Sequence, residues 1–177
     1  MRDRSRPAFV VMALAATLAT AARADSIDPC SLLSESDRAE LGVPKDAVPS
    51  HEAQPGGVQA CRYPLPSGST APDGTVAVIL SQGVPERALQ LRALQAKARE
   101  DGAPAQQQAR GEYFEGEVMC KVASSPSQQI SQCLGASEQS VVGLAVTRPN
   151  ATVQATYPGS QLRITATLVS RVASKGG

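Results

Sequence analysis

Four cysteines downstream of an export-type leader constrain the fold of this chain more than any other feature. Three arginines near the N-terminus precede an uncharged, mostly apolar run, and the motif Ala-Arg-Ala at 22–24 offers a cleavage site. This layout is typical of a secretory signal peptide, and its apolar core is too short for a spanning helix. We therefore predict a cleaved segment 1–24 and a single mature domain, 25–177, outside the cytoplasm.

An even number of cysteines in an oxidising compartment predicts two disulfides. Three pairings are open, and we favour Cys30–Cys61 and Cys120–Cys133 because each pair lies within one local stretch of chain. A metal site is the alternative, but no C-x-x-C spacing occurs and His51 is the only histidine. We accordingly predict structural disulfides, no metal and no cofactor.

The sequence around the first cysteine argues against a lipid anchor. Cys30 follows Ile27-Asp28-Pro29, which is not the small-residue context of a bacterial lipobox. No other stretch of the mature chain is long and apolar enough to span a bilayer. We therefore expect a periplasmic or secreted protein that is not lipid-anchored.

Charge and aromatic content narrow the choice of partner. The whole chain has 17 basic and 16 acidic residues, and the predicted leader removes four arginines and one aspartate, which leaves a net charge of −2. Such a balance gives no reason to expect nucleic acid as a partner. The chain has no Trp and only five Phe and Tyr residues, so stacking platforms are not expected. An envelope protein or a small ligand remains as partner, and the oligomeric state is left open.

Two helices are predicted from caps and periodicity. Residues 31–41 contain a capping-box pair, Ser34 and Asp37. Residues 84–101 carry Pro85 in the first turn, a position that proline favours. The apolar residues of this second helix fall on one arc, which predicts packing on a sheet; they are Val84, Ala88, Leu91, Leu94 and Ala98.

Strands are predicted between Pro, Gly and Ser turns, and most clearly at 75–81, where β-branched residues concentrate. The predicted strands are 58–63, 75–81, two strands within 112–123 on either side of Gly116, 129–134, 140–147 and 152–157. The Pro/Gly-rich interval 43–57 is predicted as loop, with at most a short strand near Val48, and the Gln-rich interval 103–109 as a connection.

The last segment fits two patterns. Residues 160–173 carry both a helical apolar stripe and a strict alternation, and we favour a helix because the charged, small-residue end suits one. The strands come in runs and do not alternate with helices, which predicts an α+β domain. We expect a mainly antiparallel sheet, clamped by two disulfides, with two or three helices packed on one face.

Two short motifs resemble a known family. Asp28-Pro29-Cys30-Ser31-Leu32-Leu33, a helix ending at Leu41-Gly42, and Cys61-Arg62-Tyr63 are similar to small secreted bacterial proteins of unknown function that begin DPC-x-LL…LG. The order of elements also resembles PsbP-like α+β domains. The resemblance implies the first disulfide and the α+β fold, and it implies no catalytic residue. Many members are lipoproteins, whereas this chain lacks the lipobox.

No motif for catalysis is present. There is no G-x-S-x-G, P-loop, G-x-G-x-x-G or H-E-x-x-H, and His51 is interpreted as an exposed loop residue and not as a catalytic base. One cluster in the predicted 112–133 hairpin is a candidate interaction surface for a basic protein or a cation: Glu112, Tyr113, Phe114, Glu115 and Glu117. The same cluster also fits an ordinary solvated hairpin whose rings lie in the core.

These observations favour an exported, non-enzymatic binding protein of the bacterial envelope. Two alternatives remain open at this point. One is a periplasmic inhibitor or immunity-type protein directed against a hydrolase, and the other is an enzyme with an unrecognised site.

Overall fold

The structure is a computed structural model that describes residues 26–66, 74–102, 104–149 and 158–175. The predicted signal segment 1–24 and the predicted strand 152–157 lie outside the described residues.

A seven-stranded, fully antiparallel sheet forms the centre of the fold, in the order β1-β2-β3-β7-β6-β5-β4. The strands are β1 (Ser50–Gln54), β2 (Val58–Leu65), β3 (Gly74–Ser81), β4 (Glu112–Glu115), β5 (Val118–Ser124), β6 (Gln128–Ala136) and β7 (Val141–Pro149). This confirms the predicted α+β class, the antiparallel sheet and the turn at Gly116, whose φ is 53°.

In the described residues, four α-helices accompany the sheet: α1 (Glu35–Glu40), α2 (Pro85–Glu100), α3 (Pro104–Ala109) and α4 (Gly159–Lys175). A 3-10 turn, Pro29–Ser31, precedes α1. The helical interpretation of the C-terminal segment is confirmed. No helix within the described ranges is both long and apolar enough to cross a membrane.

One row of paired residues identifies the core face of the sheet, because residues directly opposite on neighbouring strands point to the same side. From edge to edge this row reads Tyr113, Cys120, Cys133, Leu144, Val78, Cys61 and His51. All except His51 are buried. Helix α4 covers this face, and its Leu162, Ile164 and Leu168 are fully buried. The core therefore lies between α4 and the sheet.

Helix α2 lies on the opposite face. Arg99 places its guanidinium 5.6 Å from the ring centre of Phe114, and Phe114 alternates with the core-facing Tyr113 along β4. The expectation that all helices pack on one face is therefore wrong. A sheet this wide has apolar residues on both faces, and one helical layer covers only one of them.

The apolar arc predicted for α2 is only partly correct. Leu94 is 64% exposed, whereas Gln95 is buried and donates from Nε2 to the Leu134 carbonyl at 3.0 Å. Ala88 also faces the sheet. The helix is rotated so that a small residue and an amide meet β6, because the glutamine satisfies a backbone carbonyl that a leucine could not.

The predicted capping box at α1 is confirmed. Ser34 Oγ accepts from the Asp37 amide at 3.1 Å, and Asp37 Oδ2 accepts from the Ser34 amide at 2.9 Å. Arg171 of α4 donates to the same carboxylate at 2.7 Å. Burial acts to raise the pKa of Asp37, but the hydrogen bonds from Ser34 and Arg171 outweigh it and hold the pKa below its usual value.

Two predicted loops contain regular structure. The interval 43–57 includes β1, whose five residues are all exposed and so lack any alternation of apolar and polar residues. The interval 103–109 includes α3, which buries no residue. Gln107 of α3 donates from Nε2 to the Ala98 carbonyl at 3.0 Å, so this short helix satisfies the end of α2. Both corrections concern elements without a buried face.

Candidate functional site

The predicted acidic and aromatic cluster lies on the hairpin formed by β4 and β5, at one edge of the sheet. Strand β4 pairs with β5 from Glu112 opposite Lys121 to Glu115 opposite Val118. It is the last strand of the sheet in the described residues. Glu115 and Glu117 flank the turn and are exposed. The hairpin thus combines an open backbone edge with carboxylates at its tip.

Strand alternation separates the two rings of the cluster. Tyr113 is buried on the core face opposite Cys120, while Phe114 is partly exposed on the other face beneath the Arg99 guanidinium. Arg99 also donates to the Gly116 carbonyl at the turn. Tyr113 therefore belongs to the core, as the interpretation of an ordinary hairpin expected, whereas Phe114 lies on the opposite face of the sheet.

Glu112 is the carboxylate of the cluster that forms an ion pair. Its Oε2 accepts from Arg110 Nε at 2.9 Å, and its side chain is only 19% exposed. The ion pair fixes the carboxylate at the entrance to β4. The predicted acidic surface is therefore smaller than the sequence indicated, because one of its three glutamates is already paired.

A cavity of about 440 Å³ lies between β4 and α3. Its walls are Pro104, Gln107, Gln108, Glu112, Tyr113 and Phe114. Three of the five predicted surface residues thus border one concave site, and α3 supplies amide groups that the sequence prediction did not include. The site offers aromatic edges, amides and one carboxylate, which is a set that suits a protruding side chain of a partner.

Both predicted disulfides are present. The Cys30–Cys61 bond ties the segment before α1 to β2, and the Cys120–Cys133 bond joins directly paired residues of β5 and β6. Tyr63, which is buried, donates from its hydroxyl to the Cys30 carbonyl at 2.9 Å, and burial raises its pKa. These contacts anchor the first disulfide to the core.

His51 lies next to the first disulfide and not in a loop. It is on β1 opposite Cys61, and its Nε2 is 3.0 Å from Asp28 Oδ1. Both side chains are about half exposed. The prediction of an exposed residue is correct, but the neighbours of His51 were missed. Their only sequence signal is the Pro55-Gly56-Gly57 turn, because a hairpin centred there places residue 51 opposite residue 61.

A second cavity, of about 510 Å³, lies beside α1 and is bordered by Glu35, Arg38, Val43, Pro44 and Lys45, among others. Lys45 and Glu35 pair across it at 3.6 Å, and both are strongly exposed. Because these charges neutralise each other and remain exposed to solvent, this cavity is a weaker candidate binding site than the one at β4.

Comparison with known proteins found no family model that matches the chain, and no curated protein or solved structure with significant similarity to it.

Proposed function

We propose that the protein is an exported, non-enzymatic interaction protein of the bacterial envelope that binds a partner protein at β4 and α3. The observation that carries this proposal is the cavity of about 440 Å³ at an edge strand, bordered by Tyr113 and Phe114. Interfaces are anchored by aromatic residues in concave sites and surrounded by polar groups. An edge strand adds backbone donors and acceptors with which an extended segment can pair.

Charge favours a basic segment as the occupant. Among the described residues, neither Glu115 nor Glu117 takes part in an ion pair. The neighbouring arginines already have partners. Arg110 binds Glu112, and Arg99 donates to the Gly116 carbonyl at the turn itself. Arg163, whose charge also interacts with Glu115, pairs with Glu40. A lysine or arginine of the partner would meet two carboxylates at the turn, which steers the encounter and fixes its orientation.

Export is supported by three independent features. The leader 1–24 has the layout of a signal peptide. The chain forms two disulfides, which persist in oxidising compartments. The DPC-x-LL…LG motif resembles small secreted bacterial proteins. We propose periplasmic or secreted localisation without a lipid anchor on this basis.

A non-enzymatic role is supported by the surroundings of the only histidine. In the part of the chain that the structure describes, His51 is bonded to Asp28 and to no serine or free thiol. Serine and cysteine hydrolases need a nucleophile within hydrogen-bond reach of the base. The Asp28 carboxylate orients the His51 imidazole, but among the described residues no nucleophile is hydrogen-bonded to it.

Site-specific photo-crosslinking tests the proposal and identifies the partner. A photoreactive residue placed at Glu117 should yield one reproducible protein adduct in the native envelope. The same residue at Gln90, an exposed position on α2, serves as the matched control. An adduct that forms equally from position 90, or none from position 117, contradicts the assignment of this surface.

Charge variants then test the chemistry of the occupant. We expect Glu115→Gln/Glu117→Gln to weaken binding of the crosslinked partner about tenfold at low salt and to flatten its salt dependence. The matched control is Glu86→Gln/Glu100→Gln, which removes the same charge from the exposed surface of α2. Equal affinities for the two double variants would exclude a basic segment as the occupant.

A further inference from the structure

Asp28, Cys30 and His51 bring three different metal-ligating groups to one place. One carboxylate oxygen, the Cys30 sulfur and one imidazole nitrogen all lie within 4.8 Å of one another. Cys61, bonded to Cys30 and opposite His51, adds a second sulfur. Within the described residues, no other group of three such side chains is this close. The chain thus assembles two sulfurs, one nitrogen and one oxygen around the first disulfide.

In chemical type these four groups match the ligands of a tetrahedral zinc site, although the Cys61 sulfur is not among the atoms that lie within 4.8 Å of one another. Zinc takes cysteine sulfur, histidine nitrogen and carboxylate oxygen at about 2.0–2.3 Å, so the ligand atoms of a tetrahedron lie about 3.4–3.8 Å apart. The Asp28 Oδ1 to His51 Nε2 distance is 3.0 Å, and the two sulfurs are joined in the disulfide. The carboxylate and imidazole need to separate by only a few tenths of an ångström, whereas the sulfur–sulfur bond must break.

We propose that the Cys30–Cys61 disulfide is a redox-convertible metal site, which binds Zn²⁺ through Asp28, Cys30, His51 and Cys61 once the bond is reduced. A dithiol reductant supplies the two electrons and two protons that convert the disulfide into two thiols, and it becomes a disulfide itself. Zn²⁺ then displaces the two thiol protons to form two zinc–thiolate bonds. Oxidation by a disulfide oxidant reverses both steps and releases the metal.

Existing hydrogen bonds hold three of the four ligands in position without the disulfide. Asp28 Oδ1 also accepts from the Cys30 amide at 2.8 Å, which orients the carboxylate toward its neighbour. The buried Tyr63 hydroxyl holds the Cys30 carbonyl, and His51 is fixed by its place in β1 opposite Cys61. Because these bonds involve the backbone and Tyr63, we expect the ligands to stay together after reduction.

The contrast with the second disulfide supports the assignment. The residues paired with Cys120 and Cys133 on the adjacent strands are Tyr113 and Leu144, neither of which is a zinc ligand. Cys120 and Cys133 are both fully buried, whereas Cys30 is partly exposed. Cys61 is also fully buried, so a reductant and a metal ion can approach the first disulfide only from the side of Cys30, whereas the second disulfide has no exposed cysteine.

Cobalt titration of the purified protein tests the proposal, because tetrahedral Co²⁺ with thiolate ligands has intense visible absorption and a sulfur-to-metal charge-transfer band. After anaerobic treatment with a non-thiol reductant, we expect one equivalent of Co²⁺ to give this spectrum and one equivalent of Zn²⁺ to abolish it. The oxidised protein should show neither band. A tetrahedral spectrum of the oxidised protein, or none after reduction, overturns the proposal.

Ligand variants separate this site from any binding by the other cysteines. His51→Gln and Asp28→Asn should each weaken Zn²⁺ binding by the reduced protein at least about tenfold. Glu52→Gln, which removes an exposed charge beside His51, should leave it unchanged. Circular dichroism of the oxidised variants verifies that they fold. If both ligand variants bind Zn²⁺ as tightly as the unchanged protein, the metal is held elsewhere and the proposal is wrong.

Discussion

A disulfide lies next to the edge strand at each end of the sheet, but the two disulfides have different surroundings. At each end, a disulfide cysteine on the second strand lies opposite a residue of the edge strand: Cys61 opposite His51, and Cys120 opposite Tyr113. At the β1 end the bonded partner, Cys30, comes from outside the sheet and its neighbours are ionisable and exposed. At the β4 end the partner is the adjacent strand, and both sulfurs are fully buried.

This difference separates two consequences of a disulfide. The Cys120–Cys133 bond reinforces the ladder between β5 and β6, which backbone hydrogen bonds already hold, and β5 in turn pairs with β4, the strand that carries the proposed binding surface. The Cys30–Cys61 bond holds a segment that is not a strand, beside groups that can bind metal. The neighbours of a disulfide, and not the bond itself, decide whether it serves only stability.

The largest expected effect is the loss of each disulfide. Loop-entropy estimates are about 3.7 kcal/mol for the sequence separation of 31 residues and about 2.9 kcal/mol for that of 13. We therefore expect Cys30→Ala/Cys61→Ala to lower the free energy of unfolding by about 4 kcal/mol and Cys120→Ala/Cys133→Ala by about 3 kcal/mol. Urea denaturation measures both. A larger loss for the second pair would contradict the view that it reinforces a ladder already formed.

A somewhat smaller effect is expected from the ion pair that fastens α1 to α4. Asp37→Asn should lower the free energy of unfolding by about 2 kcal/mol at pH 7, because Arg171 and the Ser34 amide lose a charged acceptor. The pKa of Asp37 is lowered in the folded state, so this contribution is present at neutral pH and is lost as pH falls below about 4. Asp46→Asn, at an exposed position, is the control. If the free energy of unfolding of Asp37→Asn fell with acidification as steeply as that of the unchanged protein, the assignment would be contradicted.

The third comparison is kinetic. Because Cys30 is partly exposed while Cys120 and Cys133 are fully buried, a dithiol should reduce the first disulfide at least about tenfold faster than the second. Timed alkylation followed by mass spectrometry resolves the two reactions. Equal rates would show that both bonds open only by global unfolding.

The smallest effect is expected from the ion pair at the β4 end. Arg110 is exposed and Glu112 is partly exposed, so Arg110→Gln should change the free energy of unfolding by less than about 0.5 kcal/mol. Arg171→Gln, which leaves the buried Asp37 without its cation, should cost several times more. A similar cost for the two arginine variants would contradict this dependence on the burial of the partner carboxylate.

Elements with one buried face could be predicted from the sequence. Strands β3 and β7 concentrate β-branched residues, strands β2, β5 and β6 lie between clear turn signals, and the capping pair Ser34 and Asp37 was evident from spacing alone. Strand β1 and helix α3 were not predicted, since neither buries a residue and so neither carries a periodic pattern.

Of the two candidate sites, one could be predicted from the sequence in part and the other could not. The hairpin cluster 112–117 is contiguous in sequence and was identifiable there, although its pairing with Arg110 and its cavity with α3 were not. The grouping of Asp28, Cys30 and His51 depends on the register of an unpredicted strand and on a bond between distant cysteines. Sequence patterns reveal groups of residues that are close along the chain, whereas this group forms only when β1 pairs with β2.

The central claim is that the β4 end binds the partner and the β1 end does not. The most direct test is to measure the affinity of the crosslinked partner for Phe114→Ala and His51→Gln side by side, with both variants verified to be folded. We predict that Phe114→Ala weakens binding about thirtyfold, the cost of losing an aromatic anchor, and that His51→Gln leaves it unchanged. Unchanged binding to Phe114→Ala, or a comparable loss with His51→Gln, would contradict the account.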